Sequence, residues 1–328
     1  MNSDLVLIQP APIGRDVLMV QQRAREYAEA AKATNTQRAY RQAWGEFTTF
    51  CAGRDVRALP ADSLTLIEYL TELADNGQSV STMSVKLAAI RFAHDAQQCS
   101  SPTTNADVCE VWRGIRRTIG TAPQQKAPIT RGELVRMTQA TPHDLRGARD
   151  RALLLLGFAG AFRRSELAAL DVEDVRFLDD EMIVTVRRSK TDQEGHGAKK
   201  RVPLLDDAAL CPVRAVREWL DMAQIESGAL FRAIDRWGHV RADRVTDKVI
   251  ALVVKDAAKR AGLEARQFSG HSLRAGFVTQ AAQDETPAYE IKAVTGHKSD
   301  AMVSRYIRDA GRGQVRAIRR AFGESGTK

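Results

Sequence analysis

Apolar residues in the first third of the chain recur at the spacing of helix faces. Tyr40, Trp44, Phe47 and Cys51 stand at i, i+4, i+7 and i+11, which predicts a helix beginning near Thr36. Leu64, Ile67, Tyr69, Leu70 and Leu73 predict a second, stopped by Asn76 and Gly77. Met83, Leu87 and Ile90 predict a third, whose other faces carry Thr82, Ser84, Lys86 and Arg91. A fourth runs from about Ala106 to a basic end at Arg113, Arg116 and Arg117. No alternating, strand-type pattern occurs between about 15 and 120, so this part reads as a small helical bundle behind a loose arm, 1–14.

Gly120, Pro123 and Pro128 punctuate a stretch without apolar periodicity, read as an exposed linker over 120–128. Beyond it Thr130 and Glu133 form the signature of a capping box that starts a helix. A further helix covers about 148–161. The pattern then changes to alternating and β-branched residues at 172–177, 182–188 and 200–205, with a turn at Gly195, His196 and Gly197, predicting one small antiparallel sheet. From Pro212, placed as a first-turn proline, helices dominate to the end. The expected fold is mainly α: a helical bundle, then a mostly helical domain over 129–328 with a small antiparallel β-sheet.

Composition sharpens this outline. The 328 residues carry 49 Lys and Arg against 41 Asp and Glu, a net charge of +8. The first 122 residues hold 13 of each sign, leaving 36 basic and 28 acidic residues downstream, so the whole excess sits in the second part. That points toward a polyanionic partner. The longest apolar run, 152–162, falls short of the ~18 residues of a membrane helix, and no secretory pattern opens the chain; no membrane association is expected. Cys51, Cys99, Cys109 and Cys211 lack Cys-x-x-Cys spacing, which disfavours zinc and disulfide frameworks and fits a reducing compartment. His196, His271 and His297 do not have metal-site spacing, and no Gly-x-x-x-x-Gly-Lys loop is present, so neither a metal nor a nucleotide cofactor is expected.

Several short motifs could carry chemistry, and each alone has an ordinary reading. Arg163 and Arg164 precede Ser165, Glu166 and Leu167 at a helix start; isolated, such arginines are solvated. Lys190, after Arg187, Arg188 and Ser189, is a hairpin lysine. His271 and Arg274 share a helix face at i and i+3, a pairing suited to a phosphate. Gly296 and His297 end a helix, and Tyr306 follows nine residues later between Arg305 and Arg308. Taken together and in this order, Arg163, Lys190, His271, Arg274, His297 and Tyr306 resemble the tyrosine recombinase (phage integrase) family, and 59–61, 79–94 and 306–308 look particularly like its Cre-like members. The resemblance covers about residues 30–325.

That resemblance implies a catalytic assignment which chemistry supports. Phosphoryl transfer needs an in-line nucleophile, charge stabilisation of the equatorial oxygens and a proton for the leaving oxygen. Arg163 and Arg274 would clamp the non-bridging oxygens through planar donors. Tyr306, a phenol of pKa about 10, would attack and conserve the bond energy in a 3′-phosphotyrosyl link. Lys190 would protonate the departing 5′ oxygen, His271 would exchange a proton with the tyrosine, and His297 would hydrogen-bond the phosphate. Glu166 would orient the arginine and histidine.

The resemblance further implies a core-binding bundle over 15–119 that grips duplex DNA. Thr82, Ser84, Lys86 and Arg91 would lie toward a major groove, and Arg113, Arg116 and Arg117 against phosphates. It also implies an amphipathic C-terminal helix, about 314–322, with Val315, Ile318 and Phe322 on one stripe, docking into a neighbouring protomer of a homotetramer on paired inverted-repeat sites. Accessory proteins form a further class of partner. The expected setting is cytoplasmic, bacterial or phage, at the nucleoid. Two alternatives remain open: a type IB topoisomerase or telomere resolvase, and a non-catalytic basic DNA-binding regulator.

Overall fold

The structure is a computed structural model that describes residues 19, 23, 34–121, 126–188 and 197–296. It divides into two compact units, the boundary falling between Gln124 and Gln125.

Among the described residues the first unit holds four helices: α1 (Thr34–Ala52), α2 (Ser63–Asp75), α3 (Val80–Ala96) and α4 (Ala106–Ile119). Each of the last three begins on a side chain that accepts an otherwise orphaned amide: Asp62 from Thr65 N at 2.7 Å, Ser79 from Thr82 N at 3.2 Å, and Asn105 from Asp107 N at 2.9 Å. The core comes from the predicted stripes. Phe47, Cys51, Tyr69, Leu70, Leu73, Met83 and Ile90 are buried together, with the Tyr69 ring 5.1 Å from Phe47 and 4.8 Å from Phe50 between centroids. On α2 the stripe is rotated from the predicted one. Leu64 is 66% exposed and Leu66 is fully buried, because Leu66, Tyr69, Leu70 and Leu73 give the better i, i+3, i+4, i+7 face. His94, also fully buried, accepts from Ala61 N at 3.0 Å through Nε2, and its Nδ1 lies 2.8 Å from Ile90 O, so Nδ1 carries the proton.

The second unit centres on α6 (Leu145–Ala159), preceded by α5 (Arg131–Gln139). The Thr130–Glu133 capping box is present, with Thr130 N donating to Glu133 at 2.7 Å. Ala152 through Leu156 are all buried. Against α6 pack α8 (Pro212–Ala223), with buried Trp219 donating from Nε1 to Leu230 O at 2.8 Å, and α10 (His271–Gln283). The short α7 (Arg164–Ala169) follows α6; α9 (Asp247–Arg260) packs on α7, and α11 (Ala288–Thr295) packs on α10.

The expected antiparallel sheet forms from β1 (Val175–Phe177), β2 (Glu181–Val186) and β3 (Ala198–Pro203), with Val175 opposite Val184 and Glu181 opposite Pro203. Residues 172–174, expected as strand, are a 3-10 turn instead: Asp174 accepts from Asp171 N at 3.0 Å, and that local bond competes with the ladder. A second sheet, β4 (Arg232–Ile234) paired with β5 (Val240–Arg244), was not expected. Its strands are short, half polar and without a buried residue, so no core-facing stripe marks them; the local signal is the turn, where Asp235 accepts from Trp237 N and His239 N and Gly238 adopts φ +91°.

The stretch expected to be exposed through 128 is docked from Ala127 on, where Ala127 N donates to Gln267 O at 2.8 Å and Ile129 N to Ser272 O at 3.0 Å. Gly276 makes this possible, since a Cβ there would stand 2.0 Å from Ile129 O. No described helix is long and apolar enough to cross a membrane.

Candidate active site

Four described side chains of the predicted set and its surroundings meet where α6 ends and α7 and α10 begin. After α6 the chain turns through Ala161, whose φ of +46° is buried strain, and then sets Arg163 as the residue capping α7. Arg163 is tied at both ends to one carboxylate: its backbone N donates to Glu166 Oε2 at 2.9 Å and its Nη1 to Oε1. Glu166 is buried, and Arg163 is mostly so. The guanidinium is thereby held in one plane, which an anion clamp requires.

Arg274 comes from the first turn of α10 and is 2% exposed, a cation almost wholly removed from water. Its Nη1 donates to Ala161 O at 2.8 Å, locking it to the turn that delivers Arg163. The first turn of α10 therefore anchors one guanidinium on the turn that delivers the other. The start of α10 is set by Ser269 N donating to Ser272 Oγ at 3.0 Å and His271 N to Ser269 Oγ at 3.3 Å.

His271 opens to solvent at the first position of α10. Partial loss of solvation, and then the charges of Arg274, Arg164 and Arg163, push its pKa below the usual histidine value. The neutral imidazole that results is a competent proton acceptor. Arg164 itself is exposed, as expected, with its aliphatic stem over Gly270; a Cβ there would stand 2.2 Å from Arg164 Cδ.

Lys190, His297 and Tyr306 lie outside the described residues, as does 314–322. The last described residue, Gly296, is a left-handed helix cap of φ +67° whose N donates to Lys292 O at 2.8 Å.

In the first unit, Thr82, Ser84 and Arg91 are exposed on α3, and Arg113, Arg116 and Arg117 are exposed along α4. Lys86 is not with them. It is 7% exposed and its Nζ stands 2.6 Å from Glu46, 5.7 Å from the Tyr69 ring centroid. Its stem fills the α1–α3 seam while its charge meets a carboxylate on α1, so the expected DNA contact is corrected to an internal ion pair.

Sequence reasoning missed one residue of this neighbourhood. Lys200 on β3 reaches the turn after α6, where Glu166 attracts it and Arg274 and Arg163 repel it. Among the described residues no cluster of three or more His, Cys, Asp or Glu side chains could hold a metal ion.

Residues 128–312 match the phage integrase family. An integrase/recombinase xerD homolog of Selenomonas ruminantium is 39% identical over 304 residues, covering 92% of this chain and 89% of that protein. The tyrosine recombinase XerC of Herpetosiphon aurantiacus is 28% identical over 273 residues, 81% of each. The fold is shared with a lambda integrase tetramer bound to a Holliday junction, at a TM-score of 0.63 and 17% identity over 89% of this chain and 77% of that one. It is shared too with the XerH site-specific recombinase bound to a palindromic difH substrate, at a TM-score of 0.58 and 17% identity over 79% and 72%. With more than half its length inside the family match and a 39% identical relative aligned along nearly its whole length, the chain belongs to the phage integrase family, the tyrosine recombinases.

Proposed function

We propose that this protein is a site-specific DNA recombinase that breaks and rejoins strands through Tyr306. The observation that carries the reading is the buried pairing of Arg163 and Arg274 on one turn, with Glu166 fixing the first and Ala161 O the second. Two guanidiniums largely withdrawn from water, one from the cap of α7 and one from the first turn of α10, suit a phosphodiester whose charge grows on its non-bridging oxygens.

In this reading the Tyr306 oxygen attacks the scissile phosphorus as its proton passes to His271. The bond to the 5′ oxygen breaks, and Lys190 supplies that oxygen's proton. The 3′-phosphotyrosyl link is then attacked by the 5′-hydroxyl of a partner strand, which returns the tyrosine. His297 donates a hydrogen bond to the phosphate throughout. The substrate is double-stranded DNA with an inverted-repeat site. Exposed Thr82, Ser84 and Arg91 face the groove, and Arg113, Arg116 and Arg117 face phosphates.

Protomers assemble as a homotetramer on paired sites. A cavity of about 290 Å³, lined by Phe158, Phe277, Ala281, Ile291 and Val294 among others, suits the Val315, Ile318 and Phe322 stripe of a neighbouring copy. The setting is a bacterial cytoplasm, where such DNA is found.

The test is covalent trapping on a nicked duplex carrying a site selected from random DNA by the full-length protein. Wild type should form an adduct, and Tyr306→Phe should abolish it while holding affinity within about twofold. Site-independent relaxation of supercoils would replace the recombinase with a topoisomerase. Tight binding with no adduct from wild type would leave a DNA-binding regulator and overturn the proposal.

A further inference from the structure

Along β3 the alternation puts Ala198, Lys200 and Val202 on one face, and Val202 is buried against the core. Lys200 is the register partner of Val184, which is fully buried. An amine at the core edge of a sheet is costly unless it finds acceptors there. Lys200 finds two. Its Nζ donates to Gly160 O at 2.7 Å and also to Val294 O, and it lies 5.0 Å from the Phe162 ring centroid.

Both acceptors are helix C-terminal carbonyls. Gly160 closes α6 and Val294 lies in the last turn of α11. Such carbonyls lack partners within their own helices, and the negative end of each helix dipole favours a cation. The groups of opposing sign around the amine are Glu166, which stabilises its charge, and Arg274 and Arg163, which destabilise it. Burial weighs more than any of these and lowers its pKa to about 8. Each acceptor also stands just ahead of a residue of the expected catalytic set: Arg163 comes three residues after Gly160, and His297 three residues after Val294.

We propose that Lys200 is a positioning residue of the strand-transfer centre, one ammonium that ties the ends of α6 and α11 together and so sets the segment entering His297 and Tyr306 against the Arg163–Arg274 pair. The catalytic half of this inference rests on the recombinase reading, and the structural half on the two hydrogen bonds alone. Lys200 commits two of its three donors to backbone carbonyls, and in this proposal the protonation of the 5′ oxygen stays with Lys190.

The test compares full-length wild type, Lys200→Met and Lys200→Gln by two readouts. On the nicked selected duplex at saturating protein, Lys200→Met should form adduct at least tenfold more slowly with a DNA dissociation constant within twofold of wild type. Hydrogen exchange without DNA should speed up at least tenfold at the amides of 288–296, with those of β2 and α8 unchanged. Lys200→Gln, which keeps two donors, should recover part of both effects. A rate within twofold of wild type, equal losses of rate and affinity, or exchange that rises evenly across the unit would each overturn the proposal. If wild type itself yields no adduct while 288–296 responds to Lys200, the recombinase reading fails and the tie stands. If wild type yields adduct and 288–296 does not respond, the tie fails alone.

Discussion

Replacing Glu166 by glutamine removes one negative charge from a place where three cations converge. The carboxylate is 3% exposed on its side chain and receives Arg163 twice, once from the backbone N at 2.9 Å and once from the guanidinium. Lys200 and Arg274 stand in the same field, since both Glu166 and Arg274 act on the lysine. Removing one partner of a buried ion pair costs about 3–5 kcal/mol, because the other charge is left behind. The Arg163 side chain keeps 18% of its surface in water, so part of its charge is recovered there and the cost falls just below that range, to about 2–3 kcal/mol. For a unit of this size that is a fall in Tm of about 5–10 °C, read by calorimetry of the full chain.

The same geometry fixes the sign of a coupling. With Glu166 neutral, the charge of Lys200 loses its only attractive neighbour among these groups while Arg163 and Arg274 still repel it. Lys200→Met should therefore cost less in the Glu166→Gln background than alone, with an interaction of about 1–2 kcal/mol in the double-mutant cycle. A Tm within 1 °C of wild type for Glu166→Gln would refute the pairing, and additivity within about 0.5 kcal/mol would refute the shared field.

Two other expectations separate residues that look alike in sequence. Lys86→Met should leave the salt dependence of DNA binding unchanged and lower stability by about 1 kcal/mol, its charge being spent on half-exposed Glu46; Arg116→Ala should reduce the slope of log affinity against log salt by about 1. Equal slope changes for the two would return Lys86 to the DNA face. Asp171 is partly buried, which by itself would raise its pKa, but the hydrogen bond and charge of Arg244, then those of Arg187, outweigh this and hold the carboxyl below the usual range. A depressed folded pKa gives stability that is present above the unfolded value of about 3.9 and lost as pH falls through the folded one. Asp171→Asn should thus lower the urea midpoint at pH 7, and the gap to wild type should close as pH drops below about 4. A gap independent of pH would show that the side chain matters by shape alone.

The described part of the candidate site, Arg163, Glu166, His271 and Arg274, was singled out by the order of the whole set of motifs and not by any one of them. Arg163 precedes a helix start marked by Glu166 three residues on, and Arg274 falls one turn after His271; local spacing places them on their elements, and only their order with Lys190, His297 and Tyr306 sets them apart from solvated arginines. The bundle was legible because its stripes recur within single helices, and the error on α2 was a rotation that chose Leu64 over Leu66. The second sheet was not, because its strands are only three and five residues long and bury no residue, so the brief alternation of Val240–Asp243 is too short to distinguish it from a loop.

Lys86, Lys200 and Arg274 show where local pattern stops being sufficient. All three carry a charge on an inward face, and a charged side chain in a periodic pattern is assigned outward by default, because burying it unpaired would be prohibitive. What reverses the assignment is a partner on another segment. Lys86 turns inward to Glu46 on a different helix, Lys200 to a carbonyl 94 residues later, and Arg274 to one 113 residues earlier. Arg274 stood out only as a member of the ordered set with Arg163, Lys190, His271, His297 and Tyr306. Lys200 sits among Lys199 and Arg201, where three consecutive cations look like a solvated strand, and nothing nearby reveals that the middle one has two helix ends to bind. The same long reach that hides such a residue from a sequence pattern lets it join segments that the chain itself does not join.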